Sequence, residues 1–210
     1  MATTTTHYGF DIPQSTDLVK DGATAIATLG QDIDTAMNTA LGTNKAGMVL
    51  LNTTSFSGVS SVSLPTGTFS ATYENYKIIV NFSASAGLTP QLRLRVSGTD
   101  NSGATSYRYA GFRVTAANST AISPFSTGDS KWDLGAVVSG NFNDYLIIEL
   151  KSPFATQYTK FMAEQQTDEN YSSRYMHGGT FTATTSFDSL SLIASANNIT
   201  GTISAYGYNK

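Results

Sequence analysis

The residues best suited to chemistry in this chain are few: two histidines, fifteen carboxylates and no cysteine. His7 stands near the N-terminus and His177 lies in Tyr175-Met176-His177-Gly178-Gly179. Neither has the HExxH spacing that turns two imidazoles onto one metal ion. A Ser-His-Asp set would have to use His177, and no serine occupies a G-x-S-x-G elbow. Carboxylates cluster in Glu164-Gln165-Gln166-Thr167-Asp168-Glu169. A glycosidase pair is defined by separation in space rather than in sequence, so this run reads first as a solvated loop between strands. Asp100-Asn101-Ser102-Gly103 and Gly128-Asp129-Ser130 offer oxygen atoms of the kind Ca²⁺ takes, without the EF-hand spacing, and turn chemistry accounts for them equally well. The absence of cysteine removes disulfides, thiolate nucleophiles and most structural zinc sites together. The expectation is a non-enzymatic protein with no catalytic residues, no metal site and no cofactor.

Aromatic side chains are the more promising set. Tyr107, Tyr109, Phe112, Trp132, Tyr171 and Tyr175 fall at the ends of strand-like runs or beside Gly- and Ser-rich turns. Tyr and Trp are enriched at binding surfaces, and aromatics are equally at home in strands, so two uses stand open: packing in the core or between subunits, or a ligand platform. Trp132, Tyr171 and Tyr175 are the candidates for glycan contact.

These residues must be positioned by a chain with 40% hydrophobic and only 13% charged residues, against roughly 25% charged in an average protein. Thr, Ser, Asn and Gly fill the difference, and they favour strands and turns over helices. The net charge of −3 and pI near 5.2 lack the attraction that carries nucleic-acid binding, so no nucleic-acid partner is expected. The opening Met1-Ala2-Thr3-Thr4-Thr5-Thr6-His7-Tyr8 has neither a basic nor an apolar signal region, and no stretch approaches the length of a membrane span. The expectation is synthesis in a cytoplasm and no membrane insertion.

Residues 1–16 combine a Thr run with Tyr8, Phe10, Ile12 and Pro13, show no helical period and read as an extended arm carrying apolar side chains for docking. From Asp17 to Leu41, Val19, Ile26, Ile33 and Ala40 recur every seven residues, with Gly22, Leu29 and Ala36 at the second seam position. Ser15, Thr16 and Asp17 are N-cap candidates and Gly42 a stop. Such a helix is marginal alone, because nucleation is costly and Gly22, Gly30 and several Thr are poor helix formers. It needs partners, either its own C-terminal domain or copies of itself packed through Val19, Ile26, Leu29, Ile33, Ala36 and Ala40.

After Gly47 strand-like runs follow at sandwich spacing: 48–52, 59–64, 76–83, 91–96, 106–115, 131–138, 145–151, 159–165, 174–182, 189–194 and 201–208. In Gln91-Leu92-Arg93-Leu94-Arg95-Val96 apolar and polar residues alternate, whereas 76–80 and 145–150 are continuously apolar, as in central strands covered on both faces or lying in an interface. The fold class expected is mainly β: a jelly-roll-like antiparallel β-sandwich head over 47–210, preceded by an N-terminal arm and one short α-helix over 1–46.

The segment from Tyr8-Gly9-Phe10-Asp11-Ile12-Pro13 through Thr16-Asp17-Leu18-Val19-Lys20-Asp21-Gly22 to Asp34 resembles the N-terminal segment of many tailed-bacteriophage fibre and minor tail proteins. The closing Gly201-Thr202-Ile203-Ser204-Ala205-Tyr206-Gly207-Tyr208-Asn209-Lys210 is similar to the last strand of phage β-sandwich fibre domains. This resemblance implies a virion structural protein, commonly a homotrimer. It implies that Tyr8, Phe10, Ile12 and Pro13 anchor on other virion proteins, and that the sandwich faces outward for host attachment, where it would meet surface glycan. The helix is shorter than in long shaft fibres, which implies a stubby fibre or spike. The alternatives are a carbohydrate-binding, lectin-like module and a capsid decoration protein.

Overall fold

The computed structural model describes residues 3–6, 9–12, 19–41, 47–103, 105–115, 118–122, 125–135, 140–167 and 173–208. The chain divides into two compact units, Met1–Ala46 and Gly47–Lys210.

In the first unit, β1 (Thr3–Thr4) and β2 (Asp11–Ile12) pair antiparallel, with Thr3 opposite Ile12. The arm therefore doubles back instead of running straight. Gly9 takes φ +67°, which a turn of this kind requires and a side chain resists, and the Thr5 hydroxyl accepts the Phe10 N–H at 2.9 Å. β2 lies against α1 (Val19–Leu41). The candidate caps at 15–17 and the stop at Gly42 lie outside the described residues. Within α1, Thr28 and Thr39 turn their hydroxyls back onto the Thr24 and Thr35 carbonyls at 3.0 and 2.8 Å, satisfying themselves locally. No described helix is long and apolar enough to cross a membrane.

The second unit is built from β3 (Met48–Val59), β4 (Ser61–Ser63), β5 (Asn75–Ala84), β6 (Pro90–Val96), β7 (Thr99–Asp100) and β8 (Tyr107–Thr115). There follow β9 (Asn118–Ile122), β10 (Phe125–Asp129), β11 (Trp132–Asp133), β12 (Gly140–Lys151), β13 (Thr159–Thr167), β14 (Ser173–Phe181), β15 (Ser189–Ala194) and β16 (Ile199–Tyr208). Among the described residues they form two antiparallel sheets. The larger runs β10-β8-β14-β13-β12-β5-β16-β3, with β9 also on β8, and the smaller runs β11-β6-β15-β4, with β7 on β6. The chain enters at the β3 edge and crosses between the sheets repeatedly: β4, β6, β11 and β15 of the smaller sheet alternate with strands or meanders of the larger. At the β6–β7 turn Ser97 and Gly98 both have positive φ, +50° and +80°. That combination matches the twist of a two-residue hairpin.

Each run expected after Gly47 contains or overlaps a strand, with differences of extent. Among the described residues of 131–138, which end at Gly135, Trp132–Asp133 is the strand, Glu164–Thr167 of the expected acidic loop belongs to β13, and β7, β9 and β10 lie outside the expected runs. The core forms where inward positions of the larger sheet meet the smaller. Tyr76, Ile78, Val80 and Phe82 of β5, Leu146, Ile148 and Leu150 of β12, and Ile203 and Ala205 of β16 are buried, as are Leu92, Leu94, Leu190 and Leu192 opposite them. Beside them Trp132 stands 5.0 Å from Tyr107 and 4.4 Å from Phe161, and Phe181 stands 4.8 Å from Tyr107 and 4.9 Å from Phe187, measured between ring centroids. The Tyr107 hydroxyl ties the layers further. It accepts the Leu94 N–H of the smaller sheet at 3.1 Å and donates to the Asn101 carbonyl at 2.7 Å, and burial raises its pKa above the ordinary tyrosine value.

Trp132 is 0% exposed, which corrects its assignment as a glycan contact: its indole fills the aromatic cluster rather than meeting solvent. Trp132→Ala is expected to lower the unfolding free energy by about 3–5 kcal/mol, measured by urea denaturation. A change within about 0.5 kcal/mol, as at an ordinary surface position, would contradict this placement.

Candidate functional site

Among the described residues, two surfaces lack cover. The first is a stripe of α1. Gly22, Ala25, Leu29, Asp32 and Ala36 are half-buried along one side of the helix, whereas Ile26, Ile33 and Met37 are 66%, 40% and 55% exposed. One seam line of the heptad is thus partly covered and the other is open to solvent. Ala40 is also exposed, and the Val19 side chain lies outside the described residues. Space is open beside Gly22, where an added methyl group would meet nothing within 4 Å. Burying what remains exposed of Ile26 against a partner would contribute about 1–2 kcal/mol and of Ile33 about half that, which helps to hold a helix of weak intrinsic propensity. Of the anchoring candidates, Phe10 is half-buried and Ile12 is 38% exposed, while Tyr8 and Pro13 lie outside the described residues.

The second surface is the outer face of the larger sheet. Because the registers are continuous, cross-strand rows can be followed over it. One row is Arg108, Thr180, Lys160, Lys151 and Asn75, and the next is Phe125, Ala110, Gly178, Met162, Glu149, Lys77 and Tyr206. A third row, Phe112, Met176, Glu164, Ile147 and Ile79, explains the continuously apolar runs: Ile79 and Ile147 lie opposite each other on adjacent central strands and half-bury one another. Phe125 is 71%, Met162 63% and Tyr158 53% exposed. A depression of about 650 Å³ is lined by Lys151, Lys160, Met162, Glu149, Asn75 and Tyr208 among others. A second, about 510 Å³, is lined by Arg108, Ala110, Phe125, Tyr158, Gly178 and Thr180 among others. Glu149 is engaged already: Lys77 approaches it at 3.3 Å and the Tyr208 hydroxyl donates to its carboxylate at 2.7 and 2.8 Å. Burial and that carboxylate push the Tyr208 pKa up to about 12.

No family model matches the sequence, and a comparison with curated proteins finds no match.

Tyr175, Glu164, Asp100 and Asp129, singled out for chemistry, have structural partners. Tyr175 is 4% exposed, and this corrects its reading as a surface platform. Its place on β14 turns it to the inner face, where its ring stacks 6.1 Å from His177 and its hydroxyl accepts from Arg113 at 3.1 Å. Tyr171 lies outside the described residues. Glu164 pairs with Arg174 at 2.7 Å across β13 and β14. The Asp100 carboxylate accepts from Ser191 at 2.6 Å and pairs with Arg95 at 3.1 Å, and Asp129 accepts the Ser130 N–H at 2.6 Å, so these turns use their oxygens internally. Among the described residues no three His, Asp or Glu side chains converge as a metal site. Phe125, Tyr158, Lys151, Lys160 and Met162 do not stand out in the sequence. The signal that reaches Lys160 and Met162 is the period-two alternation of 159–165, whose outward positions they occupy.

His177 is buried opposite Ala163 of β13, and neither imidazole nitrogen has a hydrogen-bond partner. Burial lowers its pKa from 6.5 to about 4, so it is neutral in the fold. The unfolded chain then binds the extra proton between those values. Stability from this group is complete above pH 6.5 and is lost as pH falls toward about 4, by about 3 kcal/mol in all. In urea melts from pH 7 to pH 4, His177→Gln is expected to lose less stability than wild type by that amount. Parallel pH profiles would contradict the buried neutral imidazole.

Proposed function

We propose that the chain is a non-enzymatic, self-assembling structural protein of a tailed-phage virion, a short trimeric fibre or spike. The N-terminal unit provides assembly and attachment to other virion proteins, and the sandwich provides a head for contact with the host surface. The observation that carries this reading is the open stripe of Ile26, Ile33 and Met37 on a helix whose sequence cannot sustain it alone. Copies of the same helix cover such a stripe by symmetry, each placing its seam against the others. The resemblance of residues 8–34 and 201–210 to phage fibre segments supplies the virion setting. A carbohydrate-binding module or capsid decoration protein is the second reading, favoured by the lined depressions on the outer sheet face.

Light scattering on the full chain is expected to give a mass three times that of the 22.3 kDa polypeptide. Ile26→Asp with Ile33→Asp is expected to reduce it to one chain, with the sheet signal in circular dichroism intact. A wild-type monomer at micromolar concentration, or a trimer indifferent to the substitutions, would overturn the helix as the assembly element.

A further inference from the structure

The two depressions on the outer face adjoin, the first over β12 and β13 and the second over β8, β10 and β14, and Gly179 lines both. Their charge is unusual for an acidic chain. Among the described residues of the two rows that cross them, Arg108, Lys160, Lys151 and Lys77 stand against a single carboxylate, Glu149, which Lys77 and the Tyr208 hydroxyl already engage. Lys151 and Lys160 sit directly opposite each other on neighbouring strands, both exposed and neither in an ion pair with a described residue. Like charges in that position destabilise a sheet, and no described carboxylate compensates for them. Arg108, exposed in the same row, is likewise without an ion pair among the described residues.

The rest of the lining has a matching chemistry. Phe125 and Tyr158 present rings to solvent around a floor kept low by Ala110 and Gly178. Thr180 and Asn75 add neutral hydrogen-bonding groups. Strands spaced at about 4.8 Å place Phe125 of β10 about 19 Å from Lys151 of β12, room for several pyranose rings end to end. The backbone groups of β8, β14, β13 and β12 are used in the sheet ladder, so the floor of the trough between its ends offers no edge for an added peptide strand. Aromatic faces suit the C–H face of a sugar ring, and ammonium and guanidinium groups suit its carboxylates.

We propose that this trough binds a carboxylate-bearing polysaccharide, with Lys151, Lys160 and Arg108 pairing its carboxylates and Phe125 and Tyr158 stacking on its rings. This deepens the reading of the head as a host-contact surface and rests on it for biological setting alone. Calorimetry on the full chain uses polygalacturonate, hyaluronate and polysialate as probes, with neutral dextran and polyglutamate as comparisons. At least one acidic polysaccharide is expected to bind in a salt-sensitive way, dextran not to bind, and polyglutamate to bind at least about tenfold more weakly. Lys151→Gln with Lys160→Gln is expected to weaken binding by at least about tenfold. Gly178→Leu is expected to block it with an unchanged unfolding transition, since a Cβ there meets only the Phe161 carbonyl, at 3.6 Å. Absence of binding to all three acidic polysaccharides, or equal binding of polyglutamate, would overturn the proposal. So would loss of the oligomer in either trough variant, which would make this face a subunit contact. Failure of the fibre reading is seen separately: the Ile26→Asp, Ile33→Asp chain then keeps its mass while the trough still binds.

Discussion

Cover of one face of a broad sheet by a narrower one is the interaction on which the rest of the second unit depends. Among the described residues the larger sheet is eight strands wide along its main path and the smaller four, so burial is available to one face only. Tyr107, Trp132, Phe161, Phe181 and Phe187 pack where the two layers meet, and the Tyr107 hydroxyl adds a bond across them. Because side chains alternate at period two, every residue gained by that core puts its neighbours on the opposite face. Lys160 and Met162 are outward because Phe161 and Ala163 are inward. The chemistry of the outer face is therefore fixed by the same register that fixes the core.

The N-terminal unit has the opposite difficulty. Its described residues make one helix and a two-residue pair, too little to enclose an apolar interior of their own. Half of the helix seam is partly covered and half is open, and the open half carries the larger side chains, Ile26, Ile33 and Met37. A marginal helix with an open apolar stripe gains from association in two ways, by burial of the stripe and by suppression of fraying. This links weak helix propensity to an assembly role more directly than the heptad spacing does.

Much of the fold was legible in the sequence because alternation and helical period are local. The seven-residue recurrence from Val19 marked α1, and the runs after Gly47 marked most of the strands. What escaped depended on non-local facts. β10 was missed because Phe125-Ser126-Thr127-Gly128-Asp129 has turn-like composition and is a strand only by pairing with β8. Trp132 and Tyr175 looked like surface rings because they adjoin Gly- and Ser-rich stretches, but the sheet to which each belongs turns them inward. Lys151 and Lys160 are nine positions apart in sequence and meet only through the β12–β13 register. A charged pair of that kind has no signature along the chain.

Hydrogen exchange followed by mass spectrometry, across a dilution series of the full chain, tests most directly whether α1 is held by other copies of itself. Amides of residues 19–41 are expected to lose protection on dilution, while those of β5, β12 and β16, inner strands of the larger sheet, keep theirs. Protection of the helix that does not change with concentration would contradict assembly through its open stripe.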